Sequence, residues 1–314
     1  MRSLISIGDL SRADAEELLR IASVLKKELN EALAAGRRPK AHLDGKSLAM
    51  IFEKPSLRTR CSFEIGMFQL GGHAVSLQAA EIGRLGQRES IRDLARNLSR
   101  WVQIIQARVF SHAGVLELAR EASVPVINGL SDFEHPTQII ADYLTILEAR
   151  GSLDGLRLAW IGDSNNVAQS LMVMSSLFET KFTLAIPEGY DPPQEIWAVC
   201  EKANPKARDL ISIVRSPKEA VKDADVLYTD TWVSMGQEEE TEKRRKAFAG
   251  FQINDALLAC APSHAFVLHD MPAHRGEEIT DSILDGDRCR AYEQAENRMH
   301  AIKAIMCWCL GAKV

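Results

Sequence analysis

Short apolar runs alternate with longer amphipathic stretches along most of the chain. The runs before residue 150 are SLAMIF, HAVSL, IIQARVF and VPVINGL, and those after it are RLAWIGD, FTLAIP, LISIV, DVLYTD and AFVLHD. Strands that are apolar on both faces are typical of parallel sheets covered by helices on each side. The pattern therefore predicts an α/β fold, with about four strand–helix units in the first half and about five in the second.

The amphipathic stretches are predicted to be helices. Ser11 followed by Asp14 indicates a capped helix start, and apolar residues at helical spacing follow it in AEELLRIASVLKKEL. Helical patterns also cover SLRTRCSFEIGMFQLGG, ESIRDLARNLSRWV, HPTQIIADYLTILEARG and NVAQSLMVMSSLFE. We expect the third of these to end at Gly151, within the segment EARGSLDGLRL that joins two domains.

These elements predict two doubly wound parallel-sheet domains with the active site in the cleft between them. Ligands of such sheets bind beyond the carboxyl ends of the strands. The first domain is expected to span residues 1–148 and the second residues 149–289. A C-terminal helix at about 290–314 is expected to pack back on the first domain.

Composition excludes several classes of function. The net charge of -5 gives no basic field for nucleic acid. No apolar run reaches the ~18 residues that cross a membrane, and the charged, helical N-terminus does not resemble a signal peptide. The cysteines show no framework spacing, which favours reduced, mostly buried thiols in a cytoplasmic protein. They are Cys61, Cys200, Cys260, Cys289, Cys307 and Cys309.

The densest group of anion-binding side chains lies in FEKPSLRTR, where a strand, a turn and a helix start follow one another. The free N–H groups of a helix start attract anions, and Ser56 and Thr59 add hydroxyl donors. Arg58 can bind phosphate oxygens in a bidentate manner. The stretch therefore predicts a phosphate site without a glycine-rich loop; the alternative is a surface helix with a basic face.

Two further polar positions follow apolar strands in the first half. Arg108 ends IIQARVF, where a charge is costly unless it is paired or faces a cleft. His135 and Gln138 open the helix that follows VPVINGL. A histidine at this position is equally typical of a helix cap, and only its place at a strand end favours a catalytic role.

The second half carries residues suited to an amino acid. Asn166 lies at a strand-to-helix turn that lacks the glycine pattern of a dinucleotide site. In YTDTWVSMGQ, Asp230 can pair with an ammonium group, while Ser234 and Met235 lie where N–H donors would hold a carboxylate. An ordinary polar loop is the alternative for this segment.

HDMPAHRGEE collects metal-capable side chains, but their spacing matches no established zinc motif and Pro272 interrupts them. We therefore predict no metal site there. The absence of G-x-S-x-G also argues against a serine hydrolase.

Together these motifs resemble the aspartate/ornithine carbamoyltransferase family along nearly the whole chain. KPSLRTR is similar to its S-x-R-T-R motif and HPTQ to its H-P-x-Q motif. DTWVSMG resembles the D-x-x-x-S-M-G of the ornithine branch, and GDSNN and ENRMHAIKA are similar to that branch too. Several motifs in the expected order make the resemblance more specific than any one of them.

The resemblance implies transfer of the carbamoyl group of carbamoyl phosphate to L-ornithine, giving citrulline and phosphate. It implies no cofactor, a cytoplasmic homotrimer, and Gln87 and Arg88 reaching a neighbouring subunit's site. A biosynthetic role in arginine metabolism and a catabolic one use the same chemistry. The implied carbamoyl phosphate-binding residues are Ser56, Leu57, Arg58, Thr59, Arg108, His135 and Gln138. The implied ornithine-binding residues are Asn166, Asp230, Ser234 and Met235, and the implied catalytic residues are Arg108, His135, Asp270 and Arg298.

One position departs from the family pattern, because the ornithine branch usually reads H-C-L-P-A and Asp270 replaces the cysteine here. A carboxylate favours the charged ammonium, which cannot attack, but it could also take the proton as a general base. It could instead pair with Arg298. Transfer to a different amine and a weakly active paralogue that binds carbamoyl phosphate are therefore the alternative functions.

Overall fold

The computed structural model describes residues 2–233 and 238–314. The chain forms two compact units, and both sheets among the described residues are parallel. Unit 1 comprises the chain through Leu144 together with Glu296–Val314, and unit 2 comprises Thr145–Ala295.

The strands coincide with the nine apolar runs in the sequence, which confirms the predicted α/β class. They are β1 (Ser47–Phe52), β2 (His73–Gln78), β3 (Ile104–Arg108), β4 (Val126–Leu130), β5 (Arg157–Ile161), β6 (Lys181–Ala185), β7 (Ile211–Val214), β8 (Val226–Thr229) and β9 (Phe266–His269).

The helices follow the amphipathic stretches, with short additional helices in both units. They are α1 (Arg12–Ala34), α2 (Leu57–Gln69), α3 (Ala79–Ile82), α4 (Ile91–Trp101), α5 (His112–Glu121), α6 (Pro136–Arg150), α7 (Asn166–Phe178), α8 (Gln194–Ala203), α9 (Ala207–Leu210), α10 (Pro217–Val221), α11 (Thr241–Ala247), α12 (Asp255–Leu258), α13 (Asp281–Leu284) and α14 (Ala291–Leu310). The segments Ile7–Asp9 and Glu238–Glu240 form 3-10 helices.

Local chemistry explains several helix ends. Ser11 caps α1 and forms the predicted reciprocal capping box with Asp14. Gly151 follows α6 with φ of 76°, a left-handed conformation that favours glycine over residues with a side chain. None of the helices in residues 2–233 and 238–314 is long and apolar enough to cross a membrane.

Each sheet reverses its strand order once. The order in unit 1 is β2-β1-β3-β4, so the chain changes direction across the sheet between β1 and β3. The order in unit 2 is β7-β6-β5-β8-β9, and the corresponding point lies between β5 and β8. The carboxyl ends of strands at such points are the usual ligand sites of open parallel sheets.

Helix α14 is the most deeply buried part of the C-terminal segment. Every residue from 301 to 309 is buried, including Cys307 and Cys309. The expectation of mostly buried thiols holds for only half of the cysteines, because Cys260 is exposed and Cys61 and Cys289 are partly exposed.

Candidate active site

Helix α2 begins beyond the carboxyl end of β1, at the reversal point of the first sheet. Ser56 is its N-cap, and its side-chain oxygen accepts a hydrogen bond from the Thr59 N–H at 3.3 Å. Leu57 and Arg58 form the first turn; the Leu57 side chain is exposed and Arg58 is half-buried. The first N–H groups of a helix have no intrahelical acceptor, so this turn offers donors to an anion.

Arg108 ends β3 at an irregular point of the sheet. Ala107 pairs with Asn128, whereas Arg108 pairs with Leu130, so β4 contributes one extra residue here. Arg108 is 6% exposed, and its Nη1 donates to Thr59 Oγ1 at 3.3 Å. The arginine that interrupts an apolar strand in the sequence therefore contacts the start of α2.

Arg298 of α14 joins the same buried group. Its Nη2 donates to Thr59 Oγ1 at 2.8 Å, and its Nη1 donates to Gln138 Oε1. Gln138 Nε2 donates to Asp142 Oδ1 at 2.8 Å, which orients the amide. Two buried guanidinium groups that converge on one hydroxyl oxygen favour an anionic ligand. We call Thr59, Arg108, His135, Gln138 and Arg298 the unit-1 cluster.

His135 precedes α6 and is 1% exposed. Burial, and then the positive charges of Arg298 and Arg108, hold the pKa of His135 well below its usual range. Its Nδ1 is 3.3 Å from Thr137 Oγ1. The imidazole is therefore neutral near neutral pH, where one ring nitrogen donates a hydrogen bond and the other accepts one.

The N-terminal segment supports the turn that carries His135. Ser6 Oγ donates to Glu134 Oε1, and the Ile7 N–H donates to Glu134 Oε2 at 3.1 Å. Glu134 is fully buried, and both of its carboxylate oxygens accept from this segment. The residue before His135 is therefore fixed by contacts remote in sequence.

The reversal point of the second sheet places Asn165 beside Asp230. Asn165 caps α7, and its Oδ1 accepts from the N–H groups of Val167 and Ala168 at 3.0 and 3.1 Å. Its Nδ2 donates to Asp230 Oδ2 at 2.6 Å, and the Thr231 N–H donates to Asp230 Oδ1 at 2.6 Å. Neutral donors thus orient the carboxylate and leave it a negative charge that attracts an ammonium group.

A buried ion pair lies close to Asn165 and Asp230 in the chain. Arg244 Nη1 is 2.8 Å from Asp163 Oδ2. Burial raises the pKa of Asp163, Arg244 opposes the rise, and the charge of Asp230 adds to it. Arg244 therefore offsets part of the unfavourable free energy of burying this carboxylate.

His269 ends β9 and is fully buried. The Met271 N–H donates to its Nδ1 at 2.9 Å, so the ring proton is assigned to Nε2, which is 3.0 Å from Glu278 Oε1. Glu278 Oε1 also accepts from the His274 N–H at 2.5 Å. The contacts of both ring nitrogens fix the orientation and the tautomer of His269.

Asp270 follows His269, and its side chain is 12% exposed. Its Oδ1 is 3.7 Å from His269 Nδ1. Asp230, His269 and Asp270 offer side-chain atoms within 4.8 Å of one another. We call Asn165, Asp230, His269 and Asp270 the unit-2 cluster.

Two groups of side chains in the described part of the chain have atoms close enough to share a metal ion. They are Asp230 with His269 and Asp270, and His274 with Glu277 and Glu278. In the first group, His269 Nδ1 already accepts from the Met271 N–H. In the second, Glu277 pairs with Arg245 at 2.6 Å. These internal partners compete with a metal for the same atoms.

The structure brings some of the predicted site residues together in the two clusters and leaves others outside them. The unit-1 cluster contains five of them, and the unit-2 cluster contains Asp230 and Asp270. Asn166 is the first residue of α7, and Gln87 and Arg88 are exposed. Ser234 and Met235 lie outside the described residues.

Some supporting residues are not predicted from the sequence. Asn165 lies directly before a helix, so the sequence can predict its role as N-cap. The sequence does not predict its hydrogen bond to Asp230. Arg244 lies within the charged run EKRRK, where nothing distinguishes a buried arginine from exposed ones. The partnership of His269 with Glu278 depends on how the intervening loop folds.

Comparison with known proteins gives matches over the whole chain. The family described as aspartate/ornithine carbamoyltransferase, carbamoyl-P binding domain, matches residues 2–148, and the Asp/Orn binding domain of the same family matches residues 154–309. An ornithine carbamoyltransferase of Archaeoglobus fulgidus is 48% identical over 311 residues, covering 99% of this chain and 98% of the relative. One from Thermococcus kodakarensis is 46% identical over 310 residues, covering 99% and 96%.

Solved structures agree with the sequence relatives. The ornithine carbamoyltransferase from Pyrococcus furiosus superposes with a TM-score of 0.92 at 44% identity, covering 100% of this chain and 98% of that one. The similarity therefore extends through both units and both clusters. This chain belongs to the aspartate/ornithine carbamoyltransferase family.

Proposed function

We propose that the protein transfers the carbamoyl group of carbamoyl phosphate to the side-chain amine of L-ornithine, giving L-citrulline and phosphate. The observation that carries the proposal is the convergence of Arg108 and Arg298 on Thr59 in the unit-1 cluster. The family membership supports the reaction, and relatives named ornithine carbamoyltransferase support the acceptor.

Carbamoyl phosphate is proposed to bind at the start of α2. Its phosphate would accept from the first N–H groups of the helix and from Ser56, Arg58 and Thr59. Arg108 would neutralise the phosphate as it leaves. In this proposal residues 1–148 bind carbamoyl phosphate and residues 149–289 bind ornithine, with helix α14 contributing Arg298 to the first group.

The carbamoyl carbonyl is proposed to lie among His135, Gln138 and Arg298. When the amine adds to the carbamoyl carbon, negative charge develops on this oxygen, and donors aimed at it stabilise the transition state by about 3–4 kcal/mol each. A neutral His135 suits this role because the Thr137 hydroxyl can donate to Nδ1, leaving the proton on Nε2 for the oxygen. The low pKa of His135 supports that assignment.

Ornithine is proposed to bind in the unit-2 cluster. Asp230, oriented by Asn165, would pair with the α-ammonium group. Asn166 and the backbone of Ser234 and Met235 would hold the carboxylate. Both substrates are then positioned by hydrogen bonds and charge, and the chemistry needs no covalent enzyme intermediate.

Asp270 is proposed to act on the amine that attacks. Its position beside Asp230 and His269 places it in a negatively charged group, which suits a cationic acceptor. A carboxylate there stabilises the ammonium form, but it can accept a proton while the new C–N bond forms. The same feature supports the second candidate, transfer to a different cationic amine.

A homotrimer is proposed for the assembly. Leu57, Ile65 and Phe68 lie on one side of α2 and are 74%, 46% and 71% exposed. Val75 on the edge strand β2 is 43% exposed, and such a group of apolar side chains favours a second copy as its partner. Light scattering should give about 104 kDa, three times the 34.8 kDa chain. A mass of one chain would contradict this.

A cytoplasmic location and a role in arginine biosynthesis are proposed as well. Buried Cys307 and Cys309 are free thiols, which suits a reducing compartment. A relative from Pyrococcus furiosus is named an anabolic ornithine carbamoyltransferase, and it supports the biosynthetic direction. Growth of an arginine-requiring strain that lacks this activity, rescued by the gene, would test that role.

The decisive experiment measures citrulline formation from carbamoyl phosphate and L-ornithine across pH. Putrescine, L-lysine and N-acetyl-L-ornithine serve as parallel acceptors. We expect turnover with ornithine and little with the others. If another amine is carbamoylated faster than ornithine, that amine is the acceptor and the proposal for ornithine is wrong. Tight binding of carbamoyl phosphate without transfer to any amine would contradict the enzymatic proposal.

Asp270→Cys, which restores the usual family residue, separates the roles of Asp270. If the carboxylate takes the proton, kcat should fall in the variant. A large rise in kcat at neutral pH would instead mean that Asp270 only stabilises the unreactive ammonium form.

A further inference from the structure

Arg244 is a buried cation on an otherwise exposed helix. Within α11 it is 5% exposed, whereas the side chain of the next residue, Arg245, is 47% exposed. The ring of Tyr190 lies 5.1 Å from the Arg244 guanidinium carbon, and the ring of Phe248 lies 6.0 Å from it. A guanidinium group is buried in this way only where several acceptors compensate for lost water.

Among the described residues, three acceptors meet this side chain. Nη1 is 2.8 Å from Asp163 Oδ2 and also donates to the Trp232 carbonyl oxygen at 2.9 Å. Nε donates to Glu240 Oε2 at 3.2 Å. Arg244 therefore joins the loop after β5 to both sides of the segment that carries Ser234 and Met235.

These contacts flank the residue proposed to bind the α-ammonium group. Asp163 lies two residues before Asn165, the donor to Asp230, and Trp232 lies two residues after Asp230. Asp163 and Asp230 are close enough for their charges to oppose one another, and Arg244 reduces this repulsion. Without the cation, the buried Asp163 carboxylate would lose its ion-pair partner and keep only the hydrogen bond from the Ser164 backbone, and the Trp232 carbonyl would lose its donor.

We propose that Arg244, through Asp163 and the Trp232 carbonyl, is a positioning residue that sets the affinity for the amino-acid acceptor. The inference rests on the proposed function, because it takes ornithine as the acceptor. It assigns Arg244 no contact with substrate. Its effect should therefore fall on acceptor binding and not on carbamoyl phosphate, whose proposed ligands belong to the unit-1 cluster.

The test compares steady-state constants of Asp163→Asn, Arg244→Gln and Arg244→Lys with those of the parent. Asp163→Asn keeps the shape of the side chain and removes the charge. We expect the KM for ornithine to rise on the order of 10- to 100-fold in Asp163→Asn and Arg244→Gln, the range typical of a misplaced binding group. The KM for carbamoyl phosphate should stay within about twofold.

Arg244→Lys and Arg245→Gln serve as controls. The lysine keeps the charge but cannot reproduce the several directed N–H bonds of the guanidinium group, so its KM for ornithine should be intermediate. Arg245→Gln changes an exposed neighbour on the same helix and should match the parent. A role only in folding would lower the unfolding temperature and the active fraction, and would leave the KM for ornithine unchanged.

The outcomes separate this inference from the function on which it rests. A parent that forms no citrulline overturns both. A parent that forms citrulline, with an unchanged KM for ornithine in folded Asp163→Asn or Arg244→Gln, overturns only the inference, as does an equal rise in both KM values. If Arg244→Gln does not fold, the isosteric Asp163→Asn variant decides the matter.

Discussion

Replacing His300 by Gln tests whether a buried imidazole limits stability in acid. His300 lies in α14 and is 1% exposed. Its Nε2 is 3.4 Å from Glu296 Oε1, while Nδ1 has no hydrogen-bond partner among residues 2–233 and 238–314. Burial, followed by the charges of Lys303 and Lys26, lowers the pKa of His300 from 6.5 to about 3.

The sign of the effect follows from which state binds the proton first. A base whose pKa is lower in the folded protein is protonated first in the unfolded chain. Above pH 6.5 the titration of His300 thus leaves the free energy of unfolding unchanged. As the pH falls from 6.5 towards about 3, it lowers the free energy of unfolding. With these two values, linkage gives a loss of about 2 kcal/mol between pH 7 and pH 5.

Urea unfolding followed by tryptophan fluorescence at pH 7 and pH 5 measures this loss. The parent should lose about 2 kcal/mol more than His300→Gln between the two pH values. His73→Gln, a change at an exposed histidine, is the matched control and should behave as the parent. Burial lowers the pKa of Lys303 to about 8, so this side chain stays largely protonated at both pH values and adds little. Equal losses in the parent and in His300→Gln would refute the reasoning.

Further predictions concern both clusters and the core. Thr59→Val removes the hydroxyl shared by the two arginines of the unit-1 cluster, so kcat/KM for carbamoyl phosphate should fall by about 10²–10³. Thr59→Ser, which keeps the hydroxyl, is the control. A fall of less than about threefold in Thr59→Val would contradict this. Gln106 is fully buried, and neither amide atom has a partner in the described chain, so Gln106→Met should raise the free energy of unfolding by about 1–2 kcal/mol in urea. A loss of stability would mean that the amide is satisfied. Burial raises the pKa of Cys307 to about 12 and raises that of Cys309 as well, so peptide mapping should find iodoacetamide on exposed Cys260 long before it reaches either. Equal labelling rates would contradict the burial of α14.

The sequence predicts the strands well because parallel strands are buried on both faces. IIQARVF becomes β3, and its one charge, Arg108, lies at the carboxyl end where a charge can meet a ligand. Helix starts are equally readable, since Ser56 and Asn165 cap their helices with their own side chains. Polar residues that follow apolar runs therefore predict where the clusters lie.

The sequence does not predict which residues pair in the unit-1 cluster or in the Arg244–Asp163 ion pair, because the partners come from segments that are far apart in the chain. Arg298 reaches Thr59 across 239 residues, and Arg244 reaches Asp163 across 81. No local pattern records such a pairing, and the physical signal is the unfavourable free energy of burying a charge alone. That signal becomes visible only when burial and distance are known.

The two clusters have opposite charge, and each charge is complementary to that of the proposed substrate. Buried arginines suit a phosphate, whereas Asp230 and Asp270 suit an ammonium group. The reaction nevertheless needs a neutral amine, and with an amine pKa near ~10, forming it at pH 7 requires about 4 kcal/mol. A carboxylate at position 270 improves binding of the ammonium form. It thereby increases the free energy needed to form the neutral amine, unless the carboxylate itself accepts the proton. If Asp270 only binds, the pH dependence of kcat follows the amine alone; if it accepts the proton, its replacement lowers kcat even at a pH where the amine is already neutral.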